Sequence, residues 1–257
     1  MLRHPASASP RFEVIPAIDL RHGKCVRLRQ GEKASATVYA DDPLAVASQW
    51  QEAGATWLHV VNLDGAFGES NAANLTTTAR LAQNIGLSIQ FGGGIRTLAD
   101  AERLFDLGVK RIILGTVAVE QPALLDRFLT QFGPEAIAVG IDARNNRVVT
   151  HGWQADSQRT PVELALQVRA QGVVRIIYTD VTRDGMLSGV NVAATAELAR
   201  KTTLRVIASG GIATLSDICD LLATGVVEGC IVGKALYEQR FSLREALQVV
   251  QCRILEK

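Results

Sequence analysis

The chain has 257 residues, 47 % of them hydrophobic, enough to bury a large core in one or two domains. Its 27 basic side chains are balanced by 26 acidic ones, net +1, so the concentrated basic face that nucleic acid requires is not expected. No apolar run approaches the roughly 18 residues of a membrane-spanning helix, which argues against a membrane protein.

Residues 1–11 (MLRHPASASPR) lack the apolar stretch of a secretory signal and are expected to form a disordered extension before the first strand. Short Val/Ile/Leu-rich runs then recur at 12–19, 57–63, 87–91, 110–114, 136–142, 174–179, 204–208 and 228–232. Continuous apolar runs of this length predict strands buried on both faces, hence a parallel sheet. Helical periodicity fills the spaces between them, near 44–53, 72–85, 98–107, 121–132, 161–171, 191–201, 215–224 and 242–254. Thr97 and Thr214 are placed to cap helices, and Pro43, Pro122 and Pro161 occupy expected first turns. Gly54, Gly86, Gly108, Gly133, Gly172 and Gly225 sit where a left-handed residue ends a helix. Eight strand–helix units without a linker predict an α/β fold, one (β/α)8 barrel domain over 12–257. The rival is a doubly wound open sheet, disfavoured because no GxGxxG turn follows the first strand.

The order of the strand ends repeats. Asp19 and Asp142 lie 123 positions apart, Asp64 and Asp180 116, Gly94 and Gly211 117, Gly115 and Gly233 118. Two similar half-barrels are implied, suited to a ligand with two similar ends. In such barrels the reactive groups sit at the C-terminal ends of strands. Asp19 and Asp142 end the first and fifth, facing each other across the mouth. They could divide acid and base work, or each could cap a loop or pair with Arg21 or Arg144. Gly93, Gly94, Gly115 and Thr116 in one half, and Ser209, Gly210, Gly211 and Gly233 in the other, form two clusters at strand ends. Glycine lets backbone N–H groups approach an anion, so two phosphate cups are expected, and with them a bisphosphorylated small molecule.

Other candidates are local. Arg96 after GGGI could hold a phosphate or sugar. Arg27 lies in the first strand–helix loop, where Gly23, Lys24, Gln30 and Gly31 suit a mobile lid. Trp153, in a polar glycine-containing loop, could stack on a planar heterocycle. Thr179 and Asp184 in YTDVTRDG could position hydroxyls or orient an aspartate. His4, His22, His59 and His151 form no metal spacing and are read as core or loop residues. Cys25, Cys219, Cys230 and Cys252 form no CxxC pair, and Cys219 and Cys230 are expected in the core. Isolated thiols fit a reducing compartment, so a cytoplasmic location is expected. No metal or nucleotide cofactor motif is present.

The motifs IPAIDL, CVRLRQG, FGGGIR, GID, GW, YTDVTRDGML, SGGI and IVGKA together resemble the histidine biosynthesis isomerase family, the phosphoribosylformimino-5-aminoimidazole carboxamide ribotide isomerases. The likeness runs from about Phe12 to the C-terminus. It implies a cofactor-independent Amadori rearrangement of an aminoaldose to an aminoketose, with Asp19 as general base and Asp142 as general acid. It also implies that Thr179 and Asp184 assist the opened sugar and that Trp153 lies near the imidazole carboxamide. The alternatives are a bifunctional isomerase that also takes phosphoribosylanthranilate, and the sister cyclase, whose strand-one lysine motif is replaced here by CVRLRQG. A monomer is expected, although no residue pattern sets the oligomeric state.

Overall fold

The computed structural model describes residues 12–29 and 32–255; the expected extension over 1–11, with His4, and the lid residues Gln30 and Gly31 lie outside the described residues. Eight parallel strands pair in sequence order: β1 (Glu13–Arg21), β2 (Trp57–Asn62), β3 (Ser88–Gly92), β4 (Arg111–Leu114), β5 (Ile137–Arg144), β6 (Arg175–Asp180), β7 (Arg205–Ser209) and β8 (Val227–Val232). β8 pairs back onto β1 and closes the ring. Helices α1 (Pro43–Ala53), α2 (Ala72–Asn84), α3 (Leu98–Asp106), α4 (Pro122–Phe132), α5 (Pro161–Ala170), α6 (Val192–Thr202), α7 (Leu215–Ala223) and α8 (Leu243–Leu255) alternate with the strands. The fold is the expected (β/α)8 barrel. Its strand and helix limits lie within two residues of those read from the apolar runs.

Period two along each strand decides what each residue meets. Val14 and Ile18 face outward into the core shared with the helices, whereas Ile15 and Ala17 face inward with Ile113, Ala138, Ile177, Ile207 and Ile231. Below this apolar plug, the buried Arg111 donates to Gln90 Oε1 at 2.9 Å and lies 4.2 Å from the Trp57 ring centroid. Arg175, buried nearby, binds Glu228 at 2.7 and 2.9 Å. One step further up each strand, the same inward face carries Asp19, Gly92, Gly115, Asp142, Thr179, Ser209 and Gly233. Small or polar residues there leave the mouth hollow while the apolar layer below stays filled.

Helix ends follow the sequence with two exceptions, of which one is Gly133, ending α4 at φ 79° and ψ 157° rather than in the left-handed helical conformation. Thr97 and Thr214 form reciprocal capping boxes with Asp100 and Asp217, and all three prolines sit in first turns. Each such cap contributes about 1 kcal/mol. Gly86 departs from expectation: α2 closes on extended Ile85, and the Gly86 N–H bonds Gln51 Oε1 instead of taking a left-handed cap. Cys230 is buried as expected, but Cys219 is only half-buried.

The pairing of Asp64 with Asp180 also needs correction. β2 ends at Asn62 and β6 at Asp180, and these two are the equivalents. Asn74 Nδ2 donates to Asn62 Oδ1 at 2.8 Å, and Asn191 Nδ2 donates to Asp180 Oδ2 at 2.8 Å. Asp64 lies past the strand, in the short helix Leu63–Ala66, where it accepts from the His22 N–H. The first loop is not merely a lid: Lys24–Arg29 and Glu32–Ala40 form an antiparallel hairpin. The loop after β5 carries only a shorter one, Arg147–Thr150 with Ala155–Asp156. That length difference accounts for the 123-residue offset of the aspartates against 117–118 elsewhere.

Candidate active site

The hollow mouth is a single cavity of about 390 Å3. Every residue read from the sequence as catalytic or as binding substrate or phosphate lines it: Asp19, Asp142, Thr179 and Asp184; Arg27, Arg96, Thr116 and Trp153; and Gly93, Gly94, Gly115, Ser209, Gly210, Gly211 and Gly233.

The two aspartates occupy equivalent strand ends but have different partners. Arg27 Nη1 donates to Asp19 Oδ2 at 2.7 Å, and Arg27 Nη2 donates to the Ala17 carbonyl. Its guanidinium also lies 5.2 Å from the Tyr237 ring centroid, a cation–π distance. Asp142 accepts from Trp153 Nε1 at 2.8 Å and from the Thr179 hydroxyl, both neutral donors. Burial raises both carboxyls above the usual carboxylate range. At Asp19 a cation opposes that rise; at Asp142 only hydrogen bonds do. Neither Arg21 nor Arg144 takes the partner role left open from sequence: Arg21 pairs with Glu69, and Arg144 reaches the Trp153 carbonyl.

Asp184 is a third acid in the same cavity, with no acidic counterpart in the first half, where Ala66 takes the matching place. Burial, then Asp19, pushes its carboxyl up to about 7, with Asp142 adding to the rise and Arg27 and Lys234 opposing it. The cavity thus holds Asp19 beside a cation, Asp142 bonded only to neutral donors and Asp184 with its carboxyl pushed up, different surroundings of the kind that can separate an acid from a base.

The glycine clusters are where backbones touch. A Cβ on Gly93 (φ +100°) would lie 2.3 Å from the Asn62 carbonyl oxygen, and one on Gly210 (φ +84°) 2.8 Å from that of Asp180. The two contacts are the same contact in each half. Gly93→Ala is expected to cost about 2–4 kcal/mol through left-handed strain and this clash. Thermal unfolding checks this; an unchanged melting temperature would show that the turn is not held as described. Gly115 and Gly233 match as well, with φ/ψ of −98°/−90° and −111°/−97°. Each opens a short helix, Thr116–Glu120 and Lys234–Tyr237. Arg27 lies against Gly233, whose missing side chain leaves room for the guanidinium. Arg96 Nη2 donates to the Gly65 carbonyl at 3.1 Å at the rim of the first cup.

Trp153 reaches Asp142 through an unusual loop. His151, Gly152 and Trp153 all have positive φ, at 54°, 63° and 70°. The two non-glycine residues cost about 1–2 kcal/mol each in this conformation. Three contacts offset it: His151 N–H to Thr116 Oγ1 at 3.1 Å, His151 Nε2 to Glu120 at 2.8 Å, and the indole bond to Asp142.

Sequence reasoning passed over some lining residues. His59 lines the cavity floor, contacts Gln90 at 3.1 Å, and is driven down to about 3 by burial, hence neutral. Period two from Trp57 would have placed it inward. Lys234 follows the cup glycine directly and was detectable by that adjacency. For a metal, His22, Asp64 and Glu69 bring ligand-type atoms within 4.8 Å of one another, but Arg21 already pairs with Glu69 there. A guanidinium in that position opposes a cation.

The chain matches the family described as histidine biosynthesis protein over residues 13–242. It is 50 % identical over 244 residues to a protein of Granulibacter bethesdensis named 1-(5-phosphoribosyl)-5-((5-phosphoribosylamino)methylideneamino) imidazole-4-carboxamide isomerase, covering 95 % of this chain and 100 % of the relative. Relatives with the same name are similar at 48 % in Desulfitobacterium hafniense (93 % of this chain, 97 % of the relative) and 47 % in Roseiflexus castenholzii (93 % and 100 %).

Proposed function

The chain belongs to the histidine biosynthesis protein family and is an isomerase of that pathway; we propose that it converts a bisphosphorylated aminoaldose to the aminoketose by acid–base catalysis. The carrying observation is the pair Asp19 and Asp142, on facing strands of one cavity, with a glycine cup on either side. The relatives are named for a molecule bearing two phosphoribosyl groups on an imidazole carboxamide, one at ring position 1 and one at the end of a methylideneamino arm at position 5. Two matched cups across a mouth suit that molecule, and Trp153 offers a flat face to its heterocycle.

Asp142, protonated, gives its proton to the ribose ring oxygen. The C1–O bond breaks as the nitrogen lone pair forms an open-chain protonated imine at C1. Asp19, ionised beside Arg27, then takes the proton from C2; the C2–H electron pair forms a C1=C2 bond and the C=N pair returns to nitrogen, giving a neutral enolamine. The enolamine tautomerises to the ketose as C1 is protonated. The oxidation of C2 matches the reduction of C1, so the chemistry calls for proton transfers alone and no cofactor. Thr179, bonded to Asp142, and Asp184, with its near-neutral carboxyl, serve the opened sugar's hydroxyls. Among the described residues no helix is long and apolar enough to cross a membrane.

The test is turnover by purified protein given the histidine-pathway aminoaldose and, separately, phosphoribosylanthranilate. Activity on the first alone is expected. Activity on both makes the enzyme bifunctional, and activity on neither rejects the proposal.

A further inference from the structure

The short helices that follow the cup glycines carry a second matched pair of contacts. Glu120 and Glu238 lie 118 positions apart, the same offset as Gly115 and Gly233. Glu120 holds His151 of the loop after β5, and Glu238 accepts from Tyr39 Oη at 3.1 Å in the hairpin after β1. The two loops are equivalent, and each delivers a partner to an aspartate: Trp153 to Asp142 and Arg27 to Asp19. The Tyr39 ring also packs 5.1 Å from that of Tyr237, the ring beneath Arg27.

The halves differ at the residue after the cup glycine. In the first it is Thr116, which accepts from the His151 N–H. In the second it is Lys234, whose Nζ donates to the Gly185 carbonyl at 2.8 Å and lies 3.5 Å from Glu238. Gly185 adjoins Asp184. One ammonium therefore ties the Asp184 loop to the glutamate that holds the Arg27 hairpin. We propose that Lys234, anchored by Glu238, is a positioning residue that seats Asp184 in register with the Arg27 hairpin. The proposal rests on the reading of Asp184 as a catalytic group.

The chief rival role for Lys234 is direct phosphate binding, since it borders the second cup. The geometry favours positioning because two of its directions are already committed, to a carbonyl and to a carboxylate. The charged groups facing Asp184 are Asp19 from β1, Arg27 from the hairpin, Asp142 from β5 and Lys234 from the short helix. Removing the ammonium removes one of two cations holding the Asp184 carboxyl down, so that group should titrate at higher pH.

Steady-state kinetics across pH on Lys234→Met, Lys234→Arg, Glu238→Gln and Asp184→Asn test this. Lys234→Met is expected to lower kcat about 100-fold, the scale of a misplaced catalytic group. KM should change by less than about threefold, since uniform binding is retained. The pH–rate inflection assigned to Asp184 should move up by about half a unit or more. Lys234→Arg should restore most of kcat, and Glu238→Gln should lower it in the same direction by less. A KM raised tenfold or more with kcat retained would make Lys234 a phosphate ligand and overturn the proposal. So would wild-type kcat and pH profile in Lys234→Met or, should that variant not fold, in Glu238→Gln. Asp184→Asn at wild-type turnover would instead remove the reading beneath it; an inactive Asp184→Asn beside a normal Lys234→Met sinks the positioning role alone.

Discussion

Asp19→Asn is expected to lower kcat by roughly a thousandfold, the middle of the range for loss of a general base. Affinity for the bisphosphorylated substrate should stay within about threefold, because the glycine cups lie on other strand ends. The substitution keeps shape and removes charge. Arg27 then loses the charge of its 2.7 Å partner but can still donate to the asparagine oxygen, and it retains the Ala17 carbonyl and the Tyr237 ring. Circular dichroism melting should accompany the kinetics, so that the lost rate is read from folded protein. Turnover near that of the unmodified enzyme would remove Asp19 from the mechanism. Calorimetry with a bisphosphate product analogue checks the binding half of the expectation.

Asp142→Asn is expected to cause a loss of similar size, also about a thousandfold in kcat. The asparagine oxygen can still accept from Trp153 Nε1, so the strained His151–Trp153 turn is retained and the defect is confined to chemistry. What disappears is the proton for the ring oxygen. Burial without a facing cation raises the Asp142 carboxyl, which favours the protonated form that this role needs. Unimpaired isomerisation by this variant would show that ring opening draws its proton from elsewhere, Asp184 being the nearest candidate.

The barrel and the membership of its mouth were legible in the sequence for a physical reason. Parallel strands are buried on both faces, so they stand out as apolar runs, and the glycines and aspartates that interrupt those runs mark the strand ends. What was not legible depends on contacts between distant loops. The Asp19–Arg27 bond needs a hairpin to fold back over eight residues, and nothing in CVRLRQG distinguishes that from a free lid. Trp153 on Asp142 requires three successive left-handed residues, which composition does not announce at histidine or tryptophan. The mistaken match of Asp64 to Asp180 arose from residue identity; the matched contacts of Asn74 and Asn191 restore the register at Asn62. Lys234 was hidden in plain view, as the residue after a cup glycine.

The duplicated fold therefore presents two equivalent aspartates in unequal surroundings, the inequality on which their proposed opposite roles rest. Borohydride trapping during turnover tests the assignment most directly, since reduction captures the open-chain imine formed after the acid step and before the base step. Asp19→Asn should accumulate the imine and yield the reduced amine at C1, identified by mass, while Asp142→Asn should yield none. Trapping in Asp142→Asn with none in Asp19→Asn would contradict the account and reverse the two roles.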